Sequence, residues 1–296
     1  MPGSDIIDLG GPVHVADYGG SGPLIVLVHG LEGSHLNWLA VGPGLAEHHR
    51  VIAPDLSGFG LTPPSSRGAT VDANAALVHE LIRKYGYGPA TVIGNSMGGL
   101  IAMIATVGDP SLVEQLVLVD PALPAPRLVT TDPEVLFKIA APTLPLVGGQ
   151  FIRFYHRTHT PEEHARESMR FVCADPDTVP DEVRSASMEM IRLRRRMDWA
   201  VPSFVEAARS IARYSLNRKR FLEVIHRIAA PTLLIHGAQD RLVDPAAAEW
   251  VVGERPDWDL RMWDETGHVP MMEHPERFIS TVLGWDATTA GFSRRW

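Results

Sequence analysis

Thr91-Val92-Ile93-Gly94-Asn95-Ser96-Met97-Gly98-Gly99-Leu100-Ile101-Ala102-Met103-Ile104-Ala105 is the stretch that decides the fold. Three residues with high strand preference lead into a glycine, and a run of apolar helix formers follows the Gly98-Gly99 pair. A strand that turns into a helix through a single serine makes a nucleophile elbow at Ser96. Such a turn is so tight that the residues two before and two after the serine must be nearly free of side chain, and Gly94 and Gly98 meet that need. The hydroxyl is thereby thrust above the sheet, at a helix N-terminus whose free N–H groups and dipole favour developing negative charge. In a chain with 26 glycines the bare Gly-x-Ser-x-Gly pattern arises easily by chance; its position between strand and helix makes it specific.

Similar short apolar runs flank the elbow: Leu24 to Val28, Val51 to Ala53, Leu116 to Val119, Thr232 to Ile235 and Leu260 to Trp263. They read as buried parallel strands. Asp72 to Tyr85 and Gly98 to Val107 have helical length between them, so strand and helix alternate as in a sheet covered on both faces. Ile6 to Leu9 and Val13 to Tyr18 read as an antiparallel edge. From Pro126 to Ala229 the strand pattern stops and Arg, Met, aromatic and Pro residues accumulate, which predicts an inserted helical lid. The expected organisation is therefore core at 1–125, lid at 126–229 and core again at 230–296. The lid holds 17 basic and 13 acidic residues against 10 and 22 elsewhere, so a basic lid faces an acidic core.

Composition excludes several classes. A net charge of -8 leaves no basic footprint for nucleic acid. Neither a signal-like N-terminus nor an apolar run of spanning length is present, so the expected setting is cytoplasmic, without a membrane span. Cys173, the single cysteine, forbids an internal disulfide and a multi-cysteine metal site, and sits in no catalytic motif.

A serine needs a base to become nucleophilic at neutral pH, and the base needs an acid to fix its tautomer. Asp240 follows the Thr232 strand in His236-Gly237-Ala238-Gln239-Asp240, and His268 follows the Leu260 strand in Glu265-Thr266-Gly267-His268-Val269-Pro270. Both then lie on the carboxyl rim of the sheet, where open α/β sheets collect ligands. Asp120, at the end of the Leu116 strand, is the alternative acid. His29 and His236 read as loop-holding residues, His274 as the start of a surface helix, and Asp264 and Glu265 as solvated charges. Two N–H donors should face the oxyanion: that of Met97, directly after the serine, and that of Leu31 in His29-Gly30-Leu31-Glu32-Gly33.

With His29-Gly30-Leu31-Glu32-Gly33, Asp55-Leu56-Ser57-Gly58-Phe59-Gly60, the Ser96 elbow, Gly237-Ala238-Gln239-Asp240 and Gly267-His268 with Glu273-His274-Pro275 in view, the chain resembles the α/β-hydrolase superfamily, in particular its lid-bearing, esterase-like members. The resemblance implies an eight-stranded, mostly parallel sheet with helices on both faces. It also implies a Ser96, His268, Asp240 triad acting on a small-molecule, apolar ester, with neither metal nor organic cofactor. Relatives that open epoxides or displace halide use aspartate at the elbow, so Ser96 points away from both. The Asn95-Ser96-Met97-Gly98-Gly99 wording is also similar to hydrolases that cleave carbon–carbon bonds of meta-ring-fission products. Those usually carry a longer Gly/Pro-rich oxyanion loop and a Trp after the histidine, where this chain has Leu31-Glu32-Gly33 and Val269. A lid arginine is a further expectation from that group, with Arg192, Arg194, Arg195 and Arg196 as candidates. Phe137, Phe151, Phe154, Tyr155, Met169, Met188, Met190 and Trp199 are the candidate linings of an apolar acyl pocket. The reading from a different class is a small-molecule receptor on the same fold, since fold alone does not fix function.

Overall fold

The computed structural model describes residues 2–125, 141–144 and 147–285. Eight strands, β1 (Gly3–Asp8), β2 (Pro12–Gly19), β3 (Leu24–Val28), β4 (Arg50–Pro54), β5 (Ala90–Asn95), β6 (Val113–Val119), β7 (Thr232–Gly237) and β8 (Asp259–Trp263), form one sheet in the order 1-2-4-3-5-6-7-8. β1 and β2 are antiparallel to their neighbours, and every pairing from β4 to β8 is parallel. β3, β5 and β7 are buried at every residue. That burial explains their unbroken apolar sequences, because both faces of a parallel sheet are covered.

Alternate residues of these strands enter two cores. Val26, Val92, Leu116 and Leu234 join one face with α2 (Val71–Tyr85), α3 (Met97–Gly108) and the later helix that carries Val251. Ile25, Leu27, Ile93, Val117 and Leu233 join the other, with Trp38, Leu45 in α1 (Gly42–Leu45), Met271 and Phe278. α2 shows how locally its ends are written. The Thr70 side chain accepts from the Ala73 N–H at 3.1 Å at one end, and Gly86 adopts φ 66° at the other.

Between β6 and β7 the described residues form helices and no strand: α4 (Gly148–Thr158), α5 (Pro161–Val172), α6 (Asp181–Arg194), α7 (Ala200–Ser215) and α8 (Arg218–Ile225). Two of the prolines that interrupt this part of the sequence mark helix starts. Pro161 opens α5 behind a Thr160–Glu163 capping box, and Pro180 stands at the N-cap of α6. Phe137, Pro145 and the expected start of the insertion at 126 lie outside the described residues. The insertion docks on loops of the core: Ala69 N–H donates to Glu206 at 3.0 Å, Val71 N–H to Ser210 Oγ at 3.0 Å, and His268 N–H to the Val172 carbonyl at 2.6 Å. After β7 come α9 (Pro245–Glu254), α10 (Pro270–Glu273) and α11 (Pro275–Leu283). Among the described residues no helix is long and apolar enough to cross a membrane.

Candidate active site

Ser96 stands between β5 and α3 with φ 55° and ψ -119°, a conformation that costs a side-chain-bearing residue about 1–3 kcal/mol. The surroundings over-determine it. Ser96 N–H donates to the Val119 carbonyl at 3.0 Å, and its own carbonyl accepts from Gly99 at 3.0 Å and Ala122 at 2.9 Å. The flanking glycines are sterically required: a Cβ on Gly94 would lie 2.3 Å from the Gly98 carbonyl oxygen, and one on Gly98 would lie 2.1 Å from that of Val28. The same closeness seats the loop after β3 against the elbow, since a Cβ on Gly30 would stand 3.1 Å from Ser96 Cβ. Leu31 and Met97 thus flank the serine, and among the described residues neither N–H has a protein acceptor.

Across the rim, His268 Nδ1 lies 2.7 Å from Asp240 Oδ2. Asp240 Oδ1 accepts from the Leu242 and Val243 N–H groups at 2.7 and 3.1 Å. Burial pushes the Asp240 carboxyl up, but the adjoining His268 ring outweighs it and holds the group below the usual range. The buried Asn95 ties this pair to the elbow, donating to the Val119 carbonyl at 3.1 Å and to the His268 carbonyl at 3.0 Å. Ser96 and the His268 ring share no hydrogen bond among the described residues; such contacts commonly tighten only once substrate is bound.

Asp120, the alternative acid, does not reach His268. Its Oδ1 accepts from Gly237 N–H at 2.9 Å and lies 3.3 Å from His236 Nδ1. Burial first, and then the Asp240 charge, raise its pKa well above the carboxylate range. The other histidines act as the sequence suggests. His29 Nε2 accepts from Leu56 N–H at 3.0 Å while Nδ1 contacts the Gly30 carbonyl at 2.8 Å, and burial lowers its pKa to about 4. His236 Nε2 contacts the Val243 carbonyl at 3.1 Å. Cys173 is buried, and burial raises its thiol pKa.

Two residues near the rim carry roles that sequence reasoning missed or left open. Glu273 is 3% exposed, and its carboxylate accepts from Gly267 N–H at 2.8 Å and from Ala174 N–H at 2.8 Å, joining the His268 loop to the segment after α5. The sequence hint is its place in Glu273-His274-Pro275, five residues after His268, where the resemblance marks the stretch but gives Glu273 no role. Arg194 is the one arginine of its run turned toward the core: it is 6% exposed and donates to the Glu32 carbonyl at 2.8 Å, with the guanidinium 5.2 Å from the Phe59 ring centroid. Arg192 pairs instead with Glu162 and Glu189, Arg195 donates to the carbonyls of His156 and His159, and Arg196 is exposed. Phe154 is 64% exposed, which corrects its reading as a pocket wall: on the amphipathic α4 it occupies the outer face. A cavity of about 360 Å³ lined by Ile104, Val107, Tyr214 and Val224 lies at the opposite end of α3 from Ser96 and gathers none of these residues.

The family model of the alpha/beta hydrolase fold matches residues 23–275. The chain is 31% identical over 265 residues to a pimeloyl-[acyl-carrier protein] methyl ester esterase of Aromatoleum aromaticum, covering 86% of this chain and 94% of that one. It is 27% identical over 279 residues to a 2-hydroxy-6-oxononadienedioate/2-hydroxy-6-oxononatrienedioate hydrolase of Burkholderia vietnamiensis, covering 92% and 89%. A thermophilic esterase from Thermogutta terrifontis superposes with a TM-score of 0.70 at 25% identity, over 97% of this chain and 99% of that one. With the elbow, the strand order and the match over most of its length, the chain belongs to the alpha/beta hydrolase fold family.

Proposed function

We propose that the protein is a serine hydrolase of carboxylic esters. Ser96 attacks the acyl carbonyl, and His268 takes its proton and delivers it to the leaving alkoxide. Asp240 holds the His268 tautomer, and water then releases the acyl group from Ser96. The Leu31 and Met97 N–H groups receive the oxyanion. The observation that carries this reading is the 2.7 Å contact between His268 Nδ1 and Asp240, which sits on the same rim as the strained Ser96 and is tied to it through Asn95. A binding protein has no need for a base oriented in this way. Residues 126–229 act as the lid that selects substrate, and supply no member of the triad.

The elbow serine and the esterase among the relatives support ester chemistry, and the buried Arg194 supports a second reading. A cation held at the Glu32 carbonyl, beside Leu31, suits an anionic substrate such as those named for the carbon–carbon hydrolase relatives. A panel of p-nitrophenyl esters of increasing acyl length, run beside one meta-ring-fission diketone and scored by kcat/KM, separates the two. Ester turnover at least tenfold above diketone turnover, lost in Ser96→Ala, supports the esterase. The reverse order supports carbon–carbon hydrolysis. Turnover of neither leaves a receptor.

A further inference from the structure

We infer that Glu32, His156 and His164 form a binding site for a divalent transition ion of the zinc class, clamping the helical insertion to the loop that follows β3. One suitable donor atom from each residue lies within 4.8 Å of the other two. His156 comes from α4, His164 from α5 and Glu32 from the core, so three separate segments converge. Two imidazoles and one carboxylate are a donor set that such ions favour.

The distances discriminate between a hydrogen-bonded cluster and a ligand set. His164 Nε2 faces Glu32 Oε1 at 3.5 Å, whereas a charge-assisted hydrogen bond closes to about 2.7–2.9 Å. A tetrahedral ion with bonds of about 2.1 Å sets its donors about 3.4 Å apart. Furthermore, His164 is 7% exposed and its Nδ1 has no hydrogen-bond partner, an uncommon state for a buried ring nitrogen. The Glu32 side chain is 39% exposed, so it has room to turn toward an ion. Glu32 itself holds φ 62°, an uncommon backbone state for a glutamate.

Neighbouring groups hold the ligand-bearing backbone. Arg194 donates to the Glu32 carbonyl at 2.8 Å, and Arg195 to those of His159 at 2.6 Å and His156 at 3.3 Å. Both guanidinium groups thus engage the chain beside the donors. The other histidine–carboxylate cluster away from the catalytic rim, His14, His35 and Asp55, lacks this character. Asp55 there already accepts from His35 N–H at 2.7 Å and Leu61 N–H at 2.9 Å, and its ring contacts of 2.9–3.0 Å are hydrogen-bond lengths. The proposed site includes neither Ser96 nor His268, so it stands or falls apart from the hydrolytic reading.

The test is Zn2+ titration of the chelator-treated full chain by calorimetry, with Co2+ as the spectroscopic probe and Glu32→Gln and His164→Gln as variants. One ion per chain should bind, with nitrogen-ligated Co2+ absorption and a concentration-dependent rise in Tm. Each variant should bind at least tenfold more weakly while keeping the metal-free circular dichroism spectrum. If His164→Gln fails to fold, Glu32→Gln decides, because its side chain is partly exposed and the change is isosteric. Absence of stoichiometric binding to the wild-type chain, or equal affinity in Glu32→Gln, overturns the proposal; in the latter case the ion lies elsewhere, with the His14 cluster the next place to look.

Discussion

Asp240→Asn keeps the shape of the side chain and changes which way its partner histidine must carry a proton. The carboxylate now accepts on both oxygens: Leu242 and Val243 N–H groups on Oδ1, and the His268 ring on Oδ2. The amide has one acceptor. If its NH2 faced the two backbone donors, two part-buried N–H groups would lose their acceptor, at about 1–3 kcal/mol each, or roughly 2–6 kcal/mol in all. The opposite orientation therefore dominates by a factor of about 30 or more, and it presents NH2 to His268 Nδ1. The ring must then accept there and hold its proton on Nε2, where it cannot take one from Ser96. A loss of about 10⁴-fold in kcat/KM is expected, by analogy with the same change in other triads. Asp120→Asn should stay within about threefold. Burial and the neighbouring Asp240 charge already disfavour its ionised form, and an amide oxygen can still accept from Gly237. The signs with pH differ as well. The charge on Asp240 contributes stability above about pH 4 that is lost as pH falls through its depressed folded value, and Asp240→Asn lacks that acid dependence. Steady-state hydrolysis of a p-nitrophenyl ester, with urea unfolding to verify folding, measures all three. A severe Asp120→Asn, or an Asp240→Asn that keeps more than about a tenth of wild-type turnover, would refute the assignment.

Ser96→Ala should remove at least about a thousandfold of turnover with an unchanged unfolding midpoint, because the hydroxyl leaves no large cavity. A fluorophosphonate should label Ser96 on peptide mapping; label on Ser57, whose hydroxyl is engaged with the Gly68 carbonyl at 2.6 Å, would contradict this. Gly98→Ala should destabilise the fold by about 3 kcal/mol in urea unfolding, since its Cβ would stand 2.1 Å from the Val28 carbonyl oxygen and backbone must move. Glu273→Gln should cost about 1–3 kcal/mol in urea unfolding, because an amide cannot accept from Gly267 and Ala174 on two oxygens, and it should lower ester kcat. Equal stability for that variant would show that the insertion and the His268 loop are held together some other way.

The features legible in the sequence are those whose cause is local. Within the elbow the clash of Gly94 with the Gly98 carbonyl is local, so that half of the motif carries its own geometry, whereas Gly98 is required by the Val28 carbonyl of the neighbouring strand. The buried strands announce themselves by continuous apolar runs, and their edges extend by a residue or a few where pairing, not hydrophobicity, sets the limit: Leu116 to Val119 lengthens to Val113–Val119 through pairing with β5. The antiparallel edge of β1 and β2 follows from the same alternation, with Val13 and Val15 turned into the core. Helix ends in the insertion were readable as breaks but not as starts, because a proline alone does not say whether a helix stops before it or begins at it.

What the sequence leaves unresolved depends on contacts between distant segments. Asp120 and Asp240 both follow strands of the same sheet and both are buried, so rim position and burial alone do not separate them. The separation comes from their donors: Asp240 collects two N–H groups and the His268 ring, whereas Asp120 collects one N–H group, and Asp240's charge opposes a second charge beside it. Two neighbouring carboxyls with unequal solvation take on unequal protonation, and the better-solvated one is left able to orient a base. In the same way Arg194 is indistinguishable from Arg192, Arg195 and Arg196 until α6 is placed against the loop after β3. Helical periodicity then points one of the four inward and leaves Arg192 to its glutamates. The chemistry of the rim is therefore set by which backbone N–H groups and carbonyls each side chain meets, a quantity that only the fold supplies.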